Sequence, residues 1–367
     1  MPPPPVNLIP GTPNNDILPG TAGNDSISGG SGIDTAQIAS PSSGATFSLD
    51  AQGQWIVTSA QGTDTLTSIE RVDLNGEIIT FGRNEFRINT TTASDQSYPA
   101  ITALSDGGYV VTWMSRYQDG SGYGIYAQRY NNLGVTVGGE TRINTAWISD
   151  QAQPGITALD DGGYVVTWMS NGQDGSGYGI YAQRYDNLGV TVGGETRINT
   201  AWTSDQYYPA IAALSDGGYV VTWTSYGQDG SEDGIYAQRY NNLGAAVGGE
   251  TRINTTWING QQSPAITALD DGGYVVTWMS IGQDGSGWGI YAQRIDALGA
   301  TVGGETRINA AWTSDQYYPA ITALSDGGYV VTWMSYGQDG SGWGIYAQRF
   351  DALGATVGGE TLINTTN

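Results

Sequence analysis

The pattern of apolar and polar residues first indicates a chain made of β-strands. Residues 109–115 (YVVTWMS) place alternate side chains on two faces, and both faces are largely apolar. This pattern is typical of a strand that is covered on both sides. Very similar segments recur along most of the chain, and no stretch has helical periodicity. The sequence therefore predicts an all-β fold.

A 55-residue unit organises this pattern. Its marker is the motif Arg-Ile-Asn, which begins at Arg87, Arg142, Arg197, Arg252 and Arg307, with a further copy (Leu-Ile-Asn) at Leu362. Turn signals of the type Asp-Gly-Gly divide each unit into four strands. In the first unit these are residues 98–104, 109–115, 125–130 and a fourth strand that ends near residues 140–145.

Four antiparallel strands per repeat are typical of a propeller blade. We therefore predict a five-bladed β-propeller over residues 85–367, preceded by a short β-roll or β module. A β-solenoid is the alternative, although its coils are usually shorter.

One count needs explaining, because the Ile-Asn strand occurs six times in a chain with five hairpin cores. We expect one terminal copy to close the ring by pairing with the blade from the other end. The surplus copy would pack on the N-terminal module, pair with another molecule or remain free.

The N-terminal part contains a second, shorter repeat. Residues 11–37 divide into three nonapeptides, GTPNNDILP, GTAGNDSIS and GGSGIDTAQ. They follow the template of a calcium-binding parallel β-roll, G-G-x-G-x-D-x-U-x, in which U is a large apolar residue. The sixth position holds Asp16, Asp25 and Asp34, and the eighth holds Leu18, Ile27 and Ala36.

These nonapeptides resemble the RTX family of secreted proteins, with the first turn departing from the pattern at Thr12, Pro13 and Asn14. The 55-residue units also resemble repeats of large RTX-type bacterial surface and secreted proteins. The resemblance implies calcium as a cofactor, held by the oxygens of Asp16, Asp25 and Asp34. The alternative for residues 11–37 is a flexible linker.

Composition adds limits on location and chemistry. The chain of 367 residues has 35 acidic and 13 basic residues, a net charge of −22, and neither Cys nor His. This balance argues against nucleic acid and anionic lipid as partners and excludes thiolate sites. No apolar run is long enough for membrane insertion. The start of the chain (MPPPPVNLIP) lacks the features of a Sec signal, so we expect a secreted or cell-surface protein that is exported by another route. The expected domains are an extended proline-rich arm (1–10), the nonapeptide turns (11–37), a small β module (38–84) and the propeller (85–367).

Two sets of loops share one face of the predicted propeller. The loop between strands two and three carries Gln-Asp-Gly-Ser-Gly, with Asp119, Asp174, Asp229, Asp284 and Asp339. The loop between repeats carries Trp147, Trp202, Trp257 and Trp312 and the carboxylates Asp150, Asp205 and Asp315. Repeat three departs from the pattern at Ser231-Glu232-Asp233, and repeat four at Asn259-Gly260-Gln261.

Three interpretations of this face remain open. The Asp residues cap turns and the Trp residues pack between blades, or the first Asp series binds calcium, or the Trp and Asp residues bind carbohydrate. Because the blades present nearly the same residues, we expect a non-catalytic, calcium-binding structural protein that self-associates into filaments or a surface layer. The alternatives are a multivalent lectin or adhesin of extracellular glycans and, third, a glycan-active enzyme.

Overall fold

A computed structural model describes residues 6–50, 54–80, 87–132, 134–147, 149–201, 204–311 and 314–364. The protein is all-β: these residues form seven sheets, with a single 3-10 turn at Ser42–Gly44. The chain divides into two compact units, with the boundary between Arg87 and Ile88. No helix in the described part of the chain is long and apolar enough to span a membrane.

The first unit is a parallel roll of two sheets, extended by antiparallel hairpins. Its strands are β1 (Asn7–Pro10), β2 (Ile17–Pro19), β3 (Asp25–Ser28), β4 (Thr35–Ile38), β5 (Thr46–Leu49), β6 (Trp55–Ser59), β7 (Gly62–Thr67), β8 (Arg71–Leu74) and β9 (Glu77–Thr80). One sheet has the order β1-β3-β7-β6-β5 and the other β2-β4-β8-β9. Asn7 pairs with Asp25, and Ile17 pairs with Thr35, in parallel. One turn of the roll therefore takes two nonapeptides, and successive nonapeptides alternate between the sheets.

The apolar eighth positions of the nonapeptides fill the core of this unit. Leu18, Ile27 and Ala36 are buried and pack with residues of the later strands, such as Leu66 and Val72. Strands β7 and β8 extend the two stacks in parallel. The predicted separation of residues 11–37 from 38–84 is therefore wrong, because both segments build one core. Part of the predicted arm also belongs to the roll, since strand β1 pairs with β3. The remainder, residues 1–5, lies outside the described residues.

The second unit contains five four-stranded antiparallel sheets, one from each repeat, and each has its strands in sequential order. Repeat one has β10 (Gln96–Ala103), β11 (Tyr109–Arg116), β12 (Tyr123–Tyr130) and β13 (Thr136–Arg142). Repeat two has β14 (Gln151–Ala158), β15 (Tyr164–Asn171), β16 (Tyr178–Tyr185) and β17 (Thr191–Arg197). Repeat three has β18 (Gln206–Ala213), β19 (Tyr219–Tyr226), β20 (Asp233–Tyr240) and β21 (Ala246–Arg252). Repeat four has β22 (Gln261–Ala268), β23 (Tyr274–Ile281), β24 (Trp288–Ile295) and β25 (Thr301–Arg307). Repeat five has β26 (Gln316–Ala323), β27 (Tyr329–Tyr336), β28 (Trp343–Phe350) and β29 (Thr356–Leu362).

Successive repeat sheets pack face to face, which is why both faces of the second strand are apolar. Ile125 of repeat one shares a buried cluster with Trp168 and Tyr181 of repeat two. The same arrangement recurs at the next three junctions. The central tryptophans are at most 4% exposed, which confirms their prediction as core residues: Trp113, Trp168, Trp223, Trp278 and Trp333.

A conserved asparagine of the Arg-Ile-Asn motif joins each repeat to the next. Asn144 accepts a hydrogen bond from the backbone N–H of Ile125 (2.7 Å) and donates one to Gln151 of the next repeat (3.0 Å). The copy that precedes repeat one acts in the same way, because Asn89 donates to Gln96 (3.1 Å) and Ile88 packs against repeat one. The surplus copy of the motif is therefore the one at residues 87–89. It forms the entry segment of the first repeat and contacts that repeat through Ile88 and Asn89.

The predicted count and closure need correction. The described residues form seven sheets in all, because the N-terminal unit adds two to the five of the repeats. All four strands of each repeat sheet come from one repeat, so within the described ranges no terminal copy pairs with a blade from the other end. Repeat sheets that pack face to face in chain order, with their first strands towards a shared pocket, have the arrangement of a β-propeller.

Candidate functional site

The first strands of all five repeats converge on one pocket. Its volume is about 330 Å³. Each repeat contributes a proline and the residue before it: Tyr98 and Pro99, Gln153 and Pro154, Tyr208 and Pro209, Ser263 and Pro264, and Tyr318 and Pro319. The sequence pattern did not single out this pocket, because the recurring proline reads as part of a strand and the residue before it is tyrosine in three repeats but glutamine or serine in the other two.

The residues before the prolines have a strained backbone. Their φ angles are 51° at Tyr98, 53° at Gln153, 56° at Tyr208, 53° at Ser263 and 53° at Tyr318. Positive φ is rare for residues with a side chain, and a following proline favours extended backbone instead. The strain coincides with a register shift between the first and second strands of every repeat. Strain of this kind concentrates at binding and catalytic sites, so the pocket is the leading candidate for one.

The pocket combines aromatic and polar groups. Tyr98 and Tyr318 are 57% and 66% exposed, and Tyr208 is 38% exposed. The Oε1 atom of Gln153 is buried and has no hydrogen-bond partner among the described residues. Burial raises the pKa of Tyr208, and so do the neighbouring Tyr318, Tyr98 and Asp233. The tyrosines of three different repeats and one carboxylate therefore lie close enough to influence one another.

An acidic pair beside this pocket occurs in one repeat alone. Glu232 and Asp233 stand where the other repeats have Gly followed by Tyr or Trp. Asp233 is 6% exposed and accepts hydrogen bonds from the Tyr207 hydroxyl and from Nε2 of Gln262. Burial raises the pKa of Tyr207, and its bond to Asp233 raises it further. Tyr207 therefore remains a protonated donor that holds the carboxylate of Asp233 in place.

A second substitution makes room for this pair. At the other junctions an aspartate of the next repeat accepts the backbone N–H that opens the third strand, as Asp205 does from Tyr178 (2.8 Å). That aspartate lies where a side chain on Gly177 would have to be. Repeat four instead has Gly260, and this allows a side chain at position 232.

The two carboxylates meet above Gly260. A Cβ on Gly260 would lie 3.5 Å from Glu232 Oε2 and 3.6 Å from Asp233 Oδ2. These oxygens are therefore at most about 7 Å apart, which is the sum of the two distances. The sequence shows both departures from the repeat, Glu232-Asp233 in repeat three and Gly260 in repeat four. That the two are in contact follows only from the packing of these neighbouring repeats.

Aromatic side chains flank the acidic pair in the neighbouring repeats. The positions equivalent to Asp233 hold Tyr123, Tyr178, Trp288 and Trp343. Trp288 and Trp343 both pack against Tyr317, with ring centroids 6.1 and 5.4 Å apart, and Trp343 is 47% exposed. This aromatic surface lies in the repeats that follow the acidic pair.

The three predicted calcium ligands of the nonapeptides do not lie together. Asp34 Oδ1 accepts the N–H of Asp16 (2.8 Å), so these two residues stack on one edge of the roll. Asp25 stacks on Asp64 in the other sheet (2.9 Å). Burial raises the pKa of Asp25, but hydrogen bonds from Thr21 and Asn7 lower it overall, and they occupy its oxygens.

The Asp34 edge retains a free ligand group. Asp34 Oδ2 is buried without a hydrogen-bond partner among the described residues. A Cβ on Gly29 would clash with both this oxygen and the carbonyl oxygen of Ser68. Two oxygens facing a gap that only glycine leaves are compatible with a hard cation.

The aspartates of the Gln-Asp-Gly loops have structural contacts. Asp119 Oδ1 accepts the N–H of Ser121 (3.2 Å), and the same turn recurs at Asp174, Asp229, Asp284 and Asp339. Oδ2 of Asp229 lies 3.7 Å from a guanidinium nitrogen of Arg252. An arginine already supplies positive charge at Asp229, whereas Oδ2 of Asp119, Asp174 and Asp284 is buried without a hydrogen-bond partner among the described residues, so calcium at this series stays a prediction. No group of three or more acidic residues that could hold a metal occurs in the described ranges.

The loops between repeats contain the predicted carbohydrate ligands. Trp147 and Trp257 are 57% and 54% exposed, whereas Trp202 and Trp312 lie outside the described residues. The carboxylates of Asp150, Asp205 and Asp315 each accept a backbone N–H of the preceding repeat. The aspartates thus join neighbouring repeats by hydrogen bonds, whereas the side chains of Trp147 and Trp257 are exposed to solvent.

Comparison with known proteins gives a fold and no family. No family model and no curated protein matches the chain. A protein of unknown function from Dyadobacter fermentans matches with a TM-score of 0.54 at 10% identity, over 74% of this chain and 83% of that one. A Hadza microbial sialidase matches at 0.50 and 12%, over 84% and 64% respectively. The GH93 α-L-arabinofuranosidase of Fusarium graminearum matches at 0.47 and 13%, over 75% and 96%.

The prediction of a non-catalytic structural protein, with the lectin as its alternative, is therefore corrected. A sialidase has a fold similar to that of this chain, so this architecture does not exclude catalysis. The prediction also depended on equivalent blades. Repeats three and four break that equivalence with a carboxylate pair beside the shared pocket.

Proposed function

We propose that the protein is a glycan-active enzyme that hydrolyses a glycosidic bond at the shared pocket. Asp233 and Glu232 supply the two carboxylates of the reaction. The observation that carries the proposal is this acidic pair, which occurs in one of five otherwise equivalent repeats. Its Asp233 is hydrogen-bonded to Tyr207 and Gln262, which directly precede the pocket residues Tyr208 and Ser263.

The arrangement suits the chemistry of glycoside hydrolysis. Such enzymes use two carboxyl groups, about 5–5.5 Å apart when the configuration is retained and about 6.5–9.5 Å apart when it is inverted. The upper limit of about 7 Å between the oxygens of Glu232 and Asp233 is compatible with either outcome. Tyr207 and Gln262 hold Asp233 by hydrogen bonds. Glu232 is exposed and free to approach a substrate.

The surroundings favour an uncharged glycan. Tyrosine and tryptophan rings provide flat apolar surfaces for sugar rings, and Gln153 and Ser263 provide hydrogen-bonding groups. The described residues that line the pocket include no Lys or Arg, and the net charge of −22 repels anionic sugars. We therefore expect neutral polysaccharides or oligosaccharides as substrates. A polymeric substrate of this kind would place the protein at the cell surface or outside the cell.

Calcium in the N-terminal roll is a second, separate proposal, with the resemblance to RTX proteins as its origin. Asp34 Oδ2 and the Ser68 carbonyl oxygen are the groups that would hold the ion, and binding would stiffen the turns of the roll. Calorimetric titration of the whole protein with calcium tests it. We expect binding that Asp34→Asn abolishes and Asp25→Asn leaves in place; no binding, or equal loss in both variants, would contradict the proposal.

The enzymatic proposal is tested by release of reducing ends from a panel of neutral polysaccharides. We compare the wild type with Asp233→Asn and Glu232→Gln. The control is Asp296→Asn, since repeats one and three carry Asn at the equivalent positions 131 and 241. We expect at least one substrate to be hydrolysed, with a loss of ~100-fold or more in both test variants and full activity in the control. No hydrolysis across the panel, or full activity in Asp233→Asn, would overturn the proposal.

A further inference from the structure

The fifth repeat has an exposed apolar face that the other four repeats bury. Ile125, Ile180, Ile235 and Ile290 are 0% exposed, whereas the equivalent Ile345 is 39% exposed. The isoleucines of the Arg-Ile-Asn motif behave in the same way. They are 2% to 5% exposed in Ile143, Ile198, Ile253 and Ile308, and Ile363 is 54% exposed.

The other junctions show what covers this face. Between repeats three and four, Ile235 and Ile253 pack against Tyr274, Val276 and Trp278. The covering surface is thus the side of the next repeat that bears the tyrosine, valine and tryptophan of its second strand. The remaining three junctions bury the same set of side chains.

Polar contacts at the junctions point to the same partner. Arg294 donates to the carbonyl oxygen of Ala352 in the next repeat (2.6 Å), and its side chain is 16% exposed. The Thr267 hydroxyl accepts the N–H of Ala323 (3.1 Å). In repeat five the side chain of the equivalent Arg349 is 46% exposed. The edge of repeat five therefore presents both the apolar and the polar parts of a junction.

The matching face of repeat one is already covered in part. Val111, Trp113 and Tyr126 are 7%, 4% and 6% exposed, and Ile88 packs against them. The Tyr130 hydroxyl also donates to the Ile88 carbonyl oxygen (3.4 Å). Repeat one thus has its own entry segment over these side chains, although Ile101, whose equivalents pack into the other junctions, is 64% exposed.

We propose that the exposed face of repeat five is a docking surface for one further 55-residue repeat of the same kind. That repeat would cover Ile345 and Ile363 with the tyrosine, valine and tryptophan of its second strand. Repeats two to five cover the equivalent isoleucines of the preceding repeat in this way. The surface is continuous with four established junctions of the same composition, and the proposal is independent of the enzymatic one.

The absence of Cys from the chain allows a direct test. Ile345→Cys is labelled with a thiol reagent in the native, full chain, and Ala292→Cys, at a position 3% exposed, is the buried reference. We expect Ile345→Cys to react ~100-fold faster or more. Protection of Ile345→Cys equal to that of the reference would show that the array closes on itself, and this would overturn the proposal.

The second arm adds the occupant. A copy of residues 310–364 is joined directly after Asn364 of the Ile345→Cys protein. We expect labelling at position 345 to slow to the rate of the reference and the Tm to rise. A matched extension that carries Trp333→Asp in the added copy is expected to restore fast labelling. Unchanged labelling with the intact sixth repeat would also contradict the proposal.

Discussion

Replacement of Gly260 by aspartate tests whether the acidic pair and the glycine depend on each other. Aspartate is the residue at this position in repeats two, three and five, where it accepts a backbone N–H. In repeat four the Cβ of this aspartate would lie 3.5 Å from Glu232 Oε2 and 3.6 Å from Asp233 Oδ2, so a third carboxylate would stand close to the pair. We therefore expect the residue typical of the repeat to destabilise this junction.

The magnitude follows from charge repulsion. Two unit charges about 4 Å apart repel by about 4 kcal/mol at an effective dielectric constant of 20. Glu232 is exposed, so solvent screens its share, and we expect a net loss of about 1–3 kcal/mol. A loss of this size lowers the Tm by about 2–10 °C in a domain of this length.

Thermal unfolding followed by circular dichroism measures the effect. Gly260→Asp should be destabilised, and the triple variant Glu232→Gly, Asp233→Tyr, Gly260→Asp should regain most of the loss because it restores the arrangement of repeat two. The coupling between the substitutions is then the difference between the triple variant and the sum of its parts. A single variant as stable as the wild type, or a triple variant as unstable as the single one, would refute the reasoning.

Three further predictions follow from the junctions and the buried tyrosines. Arg294→Ala should lower the free energy of unfolding by about 1–2 kcal/mol, because it loses a hydrogen bond to the next repeat. Arg349→Ala, at an exposed side chain, should change it by less than about 0.5 kcal/mol. Equal losses of the two variants in denaturant titrations would contradict this. Burial raises the pKa of Tyr164, Tyr219, Tyr274 and Tyr329 to about 12, so the stability they contribute is present below pH 10 and is lost as the pH rises towards 12. The Tm should therefore fall steeply over this range together with tyrosine ionisation at 295 nm; ionisation near pH 10 with no change in Tm would be the opposite result. Tyr207→Phe removes a donor to Asp233 and should lower kcat by about 10- to 100-fold with little change in KM; an unchanged kcat would show that Asp233 needs no such support.

The repeat sheets were predictable because one physical pattern recurs at a fixed period. Residues 109–115 are apolar on both faces, and the structure covers both faces of strand β11. The buried Trp113 and its equivalents follow from the same pattern. The turns follow from Asp-Gly-Gly, since a glycine such as Gly107 adopts a φ of 83° there. Local pattern and tertiary packing agree in these segments.

The sequence pattern did not predict in which sheet each aspartate of the nonapeptides lies. A spacing of nine suggests that Asp16, Asp25 and Asp34 lie in register on adjacent turns, where they could hold one or two calcium ions. The roll instead needs two nonapeptides per turn, so the register places Asp25 in one sheet and Asp34 beside the other. The length of a turn is a property of the two-sheet core, and the nonapeptide alone does not contain it.

The candidate site depends on contacts between repeats. Glu232, Asp233 and Gly260 were visible as departures from the repeat, but Gly260 lies 27 positions or more from the other two along the chain. At the preceding junction Asp205 occupies the space that a side chain on Gly177 would need. This contact shows why a side chain at position 232 requires a glycine at position 260. The strained residues before the prolines were also hidden, because tyrosine, glutamine and serine at these positions give no sign of positive φ.

A crystal structure of the Asp233→Asn variant with a bound neutral oligosaccharide would show whether a glycan acts as substrate beside Asp233 in the shared pocket. We predict sugar rings against Tyr98, Tyr208 or Tyr318, with a glycosidic oxygen within hydrogen-bond reach of position 232 or 233. An oligosaccharide bound instead at the exposed Trp147 and Trp257 loops, with the pocket free of sugar, would contradict the account.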